Sequence, residues 1–173
     1  MRFGTVRLAF AGIAGVWLIG GSALAENDTV SLPERKAGLW ELTTTMDEGK
    51  GAVDRTLTMC VDAEMERNTV LASLIEHKQQ CAKYAISRED ETTVVTMSCR
   101  FDNRDVESRT EMSGDFQTSL LVKIESTTSG DHRGQSVAVK RKITQTGRYL
   151  GQSCGDLVGG EAMSSDGTRV MVQ

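Results

Sequence analysis

Most of the chain beyond residue 37 alternates apolar and polar residues, which is the pattern of β-strands that bury one face. The clearest case is Asp105 to Met112, where Val106, Ser108 and Thr110 alternate with charged residues. Successive side chains of a strand point to opposite faces, whereas a helix would scatter this pattern around its axis. The alternation therefore predicts a mainly β fold.

Seven segments show this pattern and are separated by turn residues. The predicted strands are Gly38–Met46, Val53–Cys60, Cys81–Ser87, Thr92–Phe101, Asp105–Met112, Leu120–Ser126 and Val137–Gly147. Turns are expected at residues 113–115 and 129–131, where Ser, Gly and Asp follow one another. About seven antiparallel strands in chain order predict a meander that forms a curled sheet or a barrel-like structure.

One segment, Asp62 to Gln80, changes to the spacing of an α-helix. Its apolar residues Met65, Leu71 and Leu74 recur at helical intervals. Asp62 is a suitable N-cap, and the acidic residues that follow it suit the positive end of a helix. We expect one α-helix here.

The first 25 residues have the layout of a secretory signal peptide. Arg2 and Arg7 precede an apolar run of 13 residues, and Ala23-Leu24-Ala25 supplies small residues before the expected cleavage after Ala25. A helix of this length spans only about 20 Å, which is too short for a bilayer core of roughly 30 Å. We therefore expect a periplasmic or secreted protein with no stable membrane insertion after cleavage.

The charge balance also limits the possible partners. The whole chain has a net charge of −4, and loss of Arg2 and Arg7 leaves 18 basic against 24 acidic residues, a net charge of −6. Binding to nucleic acid needs a concentrated basic surface, so we expect no nucleic-acid partner.

The remaining chain is expected to form a single β-rich domain over residues 26–154. Residues 155–173 contain several glycines and scattered polar residues, which predicts a mobile C-terminal tail. Within this tail, Thr168 to Val172 has the pattern of a short edge strand.

Four cysteines lie in the predicted exported part, and an even number there favours two disulfides. Cys81 and Cys99 lie opposite each other across a predicted hairpin, so we favour the pairs Cys81–Cys99 and Cys60–Cys154 among three possible pairings. A zinc site is the alternative, but the paired C-x-x-C spacing typical of zinc sites is absent.

The sequence contains no motif that predicts a catalytic residue, a cofactor or a metal site. The only histidines, His77 and His132, are interpreted as packed or surface residues. A hydrolase that uses acidic residues such as Glu41 or Asp115 is an alternative of another class. Asp102 to Asp105 resembles a calcium loop only weakly, because the alternating ligand spacing is missing.

Polar residues on an inward strand face are candidates for lining a ligand cavity. Ser108 and Thr110 lie among apolar neighbours, and Arg141 is in phase with Ile143. Trp40 leads the apolar face of the first strand, either as a further lining residue or as a core anchor. These four residues predict a site for a small apolar ligand with an acidic group. The alternative is a filled core, with Arg141 extending its charged end to solvent.

Several segments resemble one family of small exported bacterial proteins, domain of unknown function 3617. The resemblance rests on the opening Gly38-Leu39-Trp40-Glu41-Leu42-Thr43-Thr44-Thr45-Met46, on Met59-Cys60-Val61 and Met97-Ser98-Cys99, and on the closing segment 148–154. It covers about Pro33 to Cys154 and implies export and a common fold. The first turn is less rich in Met, Pro and Gly than is common in the family, and 19 residues follow Cys154.

Together these features predict a non-enzymatic exported domain that binds a small apolar ligand or an envelope component. The alternative is a structural or interaction protein with a filled core and no ligand.

Overall fold

A computed structural model describes residues 31–132 and 134–172, and the predicted signal peptide lies outside these residues. These described residues are mainly β with one helix, as predicted, although they form nine strands. The elements are β1 (Gly38–Asp47), β2 (Ala52–Val61), α1 (Ala63–Gln80), β3 (Cys81–Glu89), β4 (Thr92–Phe101), β5 (Arg104–Ser113), β6 (Ser119–His132), β7 (Gln135–Gly151), β8 (Glu161–Ser164) and β9 (Arg169–Met171).

All nine strands form one antiparallel sheet in the order β3-β4-β5-β6-β7-β1-β2-β8-β9. Strands β3 to β7 form a meander in chain order, as predicted, but β1 of the first hairpin pairs with β7, so β2 and β3 are not neighbours. The sheet is not closed into a barrel, since β3 and β9 are its two edges. The helix α1 connects β2 to β3 and so links two distant strands of the sheet.

The turn expected at 113–115 lies close to the observed one, since residues 114–118 connect β5 to β6, whereas the second expected turn differs. Asp102 and Asn103 form the turn between β4 and β5, and both have the positive φ that suits a two-residue hairpin turn. The turn expected at 129–131 is wrong, because these residues belong to β6 and pair with 136–138 of β7. Gly130 instead allows a close approach: a Cβ there would lie 3.2 Å from Cγ of Arg104.

We call the face of the sheet that carries Trp40 and Leu42 the inner face, and the opposite one the outer face. The hydrophobic core lies at one end of the inner face and consists of Trp40, Leu42, Met59, Val61, Phe116, Leu120 and Ala162. The Trp40 side chain is fully buried, its Nε1 donates a hydrogen bond to the Lys36 carbonyl at 2.7 Å, and its ring packs edge-to-face on Tyr149. Trp40 is therefore the anchor of the core.

We expected a mobile tail after Cys154, but the structure places two strands there. Strand β8 pairs with β2, and Ala162 lies fully buried opposite Met59. Gly160 N also donates a hydrogen bond to the Cys60 carbonyl at 2.9 Å. Without this segment β2 would be an open edge, and the core would lose the cover that Ala162 provides. The short strand expected near the C-terminus forms as β9.

Both favoured disulfides form. Cys81 and Cys99 are direct partners in the register of β3 and β4, as the hairpin geometry predicted. Cys60–Cys154 joins the end of β2 to the segment after β7, and it closes a loop with a sequence separation of 94.

The helix begins as predicted, with Asp62 as its N-cap. Oδ1 of Asp62 accepts hydrogen bonds from the backbone N–H of Glu64 and Met65, each at 3.0 Å. The expected apolar stripe is only partly correct, since Leu71 is 55% exposed. The helix is instead held by the buried Glu66, whose carboxylate forms a two-point ion pair with Arg35 at 2.7 and 2.9 Å.

Candidate functional site

One cross-strand row on the inner face continues through seven strands and is apolar at six of its seven positions. From β2 to β3 it contains Val53, Met46, Ile143, Ile124, Thr110, Val95 and Ile86. We call it the apolar row. Only Val95 is buried, four other apolar members are partly exposed, and Val53 is 56% exposed. A filled core would bury such side chains, so this part of the inner face is open.

The helix α1 passes over this face. It begins just after Val61, at the core end of β2, and ends just before Cys81. Through the strand registers, Cys81 is level with Val139, which lies at the opposite end of the sheet from the core. Five strands lie between β2 and β3, so a flat sheet would separate them by about 29 Å sideways alone. A helix of 18 residues is only about 27 Å long. The sheet must therefore curl, and the Arg35–Glu66 contact beside Met59 places the concave side on the inner face.

A cleft of about 290 Å³ lies between the first turns of α1 and the core end of the sheet. Its lining residues are Arg35, Leu42, Leu57, Met59, Thr69, Gln145 and Val172. Two polar side chains at its border already have partners: Glu66 holds Arg35, and Nε2 of Gln145 donates a hydrogen bond to Oγ1 of Thr44 at 3.0 Å. The cleft can therefore accept an apolar group without leaving these polar groups unpaired.

The structure brings together three of the four predicted lining residues. Thr110 is a member of the apolar row, and Ser108 lies in the neighbouring row with Ser126 and Arg141. Trp40 is closed inside the core, so it does not line an open surface.

Arg141 lies on the inner face with Ile143, as its phase predicted, and it already has an anionic partner. Its Nε donates a hydrogen bond to Glu48 Oε1 at 2.5 Å, and the two side chains are 40% and 43% exposed. The ion pair therefore lies in solvent at the border of the apolar row.

A larger cleft of about 610 Å³ lies across the middle of strands β3 to β7, mainly on the outer face. Many of its charged side chains are ion-paired: Arg109 with Glu89 and Glu111 at 2.7 and 3.0 Å, and Lys142 with Glu125 at 3.0 Å. Such solvated pairs are typical of an exposed sheet face. The size of this cleft therefore does not make it the better site for an apolar ligand.

The two acidic residues considered for hydrolysis have structural partners. Glu41 pairs with Arg148 on the outer face at 3.1 Å. The Asp115 carboxylate accepts hydrogen bonds from the backbone N–H of Ser119, Thr118 and Gln117, and these bonds hold its pKa well below the usual range. Asp115 therefore remains ionised and organises the turn before β6.

The side chains of His77 and His132 lie outside what the structure describes. Within the described ranges, no three His, Cys, Asp or Glu residues gather where they would hold a metal ion.

The sequence did not predict Arg35, Thr69 and Val172 as lining residues of the smaller cleft. They come from the segment before β1, from α1 and from the C-terminus, and no local pattern relates them. The apolar members of the row were visible as alternating residues, but their exposure depends on what covers the sheet.

Comparison with known families gives one match: the sequence model described as "Protein of unknown function (DUF3617)" matches residues 35–154. Neither the curated proteins nor the solved structures contain a match to the chain. In the part of the chain that the structure describes, no helix has the length and apolar character needed to cross a membrane.

Proposed function

The chain belongs to the DUF3617 family of proteins of unknown function, and from its geometry we propose that it is an exported, non-catalytic protein that binds a small apolar ligand. The ligand occupies the inner face, between the sheet and α1. The apolar row lies along this face, and the cleft beside Leu42 and Met59 continues it toward the core.

The observation that carries this proposal is the partial exposure of the apolar row. Met46, Ile124 and Ile143 belong to the central strands of a large sheet, where side chains on a concave face are normally covered. Apolar surface left in water costs roughly 25 cal/mol for each Å². A ligand that covers these side chains would recover that free energy, and this supports binding on the inner face.

The assignment of a non-catalytic role is supported by the partners of the candidate acids. Glu41 is engaged by Arg148, and Asp115 is engaged by backbone N–H groups. The backbone N–H donors also lower the pKa of Asp115, whereas a general acid at neutral pH needs a raised pKa.

Export is supported by the signal peptide predicted at residues 1–25 and by the two disulfides, which persist in oxidising compartments. The proposed location is the periplasm or the extracellular space.

Binding of Nile red, an uncharged apolar dye, tests this proposal. The wild-type protein should bind the dye with increased fluorescence, and Ile143→Asp should weaken binding at least about tenfold, because it places a charge in the apolar row. Thr146→Asp is the matched control, since Thr146 is an exposed residue of the same strand on the outer face. Circular dichroism of both variants verifies their fold, and Ile143→Ser serves as a milder variant.

Absence of Nile red binding by the wild type, or equal loss in both variants, would contradict the proposal. In that case native mass spectrometry of the protein from its own host should show the bare mass. That result would favour a structural or interaction protein without a ligand.

A further inference from the structure

In strands β1 to β7, the acidic side chains lie on one face of the sheet only. In β1 to β7, all nine acidic strand residues point to the outer face, as the registers place them out of phase with Trp40, Leu42 and their neighbours. These residues are Glu41, Asp47, Asp54, Glu89, Asp105, Glu107, Glu111, Glu125 and Asp131. The outer face also carries basic residues, with which several of them pair.

The inner face of the same strands carries four arginines and no acidic strand residue. A neighbouring cross-strand row lies beside the apolar row, on the side toward the core. It begins with Arg55 on β2 and ends with Arg88 on β3. Arg141 lies in the next row on the other side, and Arg104 lies farther toward the same end. The apolar row is thus bordered by positive charge on both sides, although the protein as a whole has a net charge of −4.

We propose that the ligand of the inner face is a single-chain anionic amphiphile, with its alkyl chain on the apolar row and its acidic head on Arg141. This inference rests on the proposed function and names its ligand class. An apolar surface whose neighbouring strand positions carry arginines and no acidic residue matches a molecule that joins an alkyl chain to a carboxylate or phosphate. If the ligand were neutral, the arginines of the inner face would have no role in binding it.

Glu48 occupies the position proposed for the ligand head. Its carboxylate pairs with Arg141, and both side chains are exposed enough for solvent to weaken their attraction. Glu48 belongs to the turn after β1, in which Gly49 and Gly51 have positive φ and no neighbouring atoms within 4 Å of a Cβ position. A ligand carboxylate can therefore replace that of Glu48 with the same charge-assisted hydrogen bonds while the turn moves into solvent.

The curvature of the sheet favours a single molecule over a membrane surface. The inner face is concave and α1 crosses it, so a flat bilayer cannot lie against the apolar row. A monomeric amphiphile can enter between the helix and the sheet.

Isothermal titration calorimetry with dodecanoate and 1-dodecanol tests the proposal, because these probes share a chain and differ in charge. At neutral pH and low salt, dodecanoate should bind about tenfold more tightly than the alcohol. Arg141→Gln should reduce dodecanoate binding to the level of the alcohol and leave the alcohol unaffected. Lys142→Gln is the matched control, since it removes the same charge from the next residue, on the outer face. Glu48→Gln should strengthen dodecanoate binding, because it frees Arg141.

Dodecyl phosphate provides a second anionic head, and tighter binding of either anion than of the alcohol supports the proposal. Equal binding of the charged and uncharged probes would overturn it while leaving the proposed function intact. Failure of all three probes to bind would overturn both. If the protein sediments with anionic vesicles but does not bind monomeric dodecanoate, the proposed ligand is also wrong. That result would favour a membrane-docking surface.

Discussion

The two ends of the apolar inner face differ in what covers them. Trp40 and Leu42 are buried at the core end of β1, whereas Met46, farther along the same strand and face, is partly exposed. The same contrast separates Leu120 from Ile124 on β6. The alternating pattern is continuous through both regions. It therefore reports which side chains share a face and does not report which of them form a core.

Segments outside the meander close the core end. The residues before β1 are held by hydrogen bonding of Lys36 N to the Phe116 carbonyl at 2.9 Å, and Arg35 binds Glu66 of α1. The C-terminal segment is held by the Cys60–Cys154 disulfide and by pairing of β8 with β2. In the described part of the chain the apolar row is covered less completely, since most of its members are partly exposed, and this difference leaves the row available to a ligand.

The two disulfides provide the largest test of this contrast. Replacing Cys60 and Cys154 with Ser should lower the free energy of unfolding by about 4.5 kcal/mol, because the bridge closes a loop with a separation of 94. The same replacement at Cys81 and Cys99 should cost about 3 kcal/mol, since that loop separation is 18. Urea denaturation of both double variants measures the difference. A larger loss at Cys81–Cys99 would contradict the view that the core end depends more on its covalent closure.

Single truncations on the inner face give the next largest contrast. Trp40→Ala should destabilise the protein by about 3–5 kcal/mol, because it empties a fully buried site and removes the hydrogen bond to Lys36. Ile143→Ala should cost only about 1 kcal/mol, since its side chain is already partly in water. Denaturant titrations compare the two variants. Similar losses would show that the apolar row is packed as firmly as the core.

The smallest expected effect is the acid sensitivity of the turn beside Phe116. Three backbone N–H donors hold the pKa of Asp115 below its usual range in the folded protein. Stabilisation by this group is therefore complete above its unfolded pKa of about 3.9, and it is lost as the pH falls below that value. The free energy of unfolding of Asp115→Asn should consequently decline less than that of the wild type between about pH 5 and pH 2. Parallel acid slopes in urea titrations would exclude this role for the carboxylate.

Much of the fold could be predicted because its signals are local. The alternation from Asp105 to Met112 identified β5, and Asp62 identified the start of α1. The hairpin register placed Cys81 opposite Cys99. Gly130 misled the turn prediction, because the same residue type serves turns and close backbone approaches, and only the position of Arg104 distinguishes them.

The candidate site was predictable only in part. The phase of Arg141, Ser108 and Thr110 correctly placed them on one face, since the period of a strand is a local property. The burial of Trp40 and the partner of Arg141 depended on segments far away in sequence. The pairing of Glu48 with Arg141 joins residues 93 positions apart.

The sequence by itself determined strands β1 to β7, the helix, the two disulfide pairs and the separation of charged from apolar strand positions. Each of these follows from residue type and short-range spacing, which act through backbone geometry. The tertiary structure decided that the sheet stays open, that the C-terminal segment completes it, and that the apolar row is left partly exposed. These properties depend on which distant segments cover a face, and coverage is set by the packing of the whole chain.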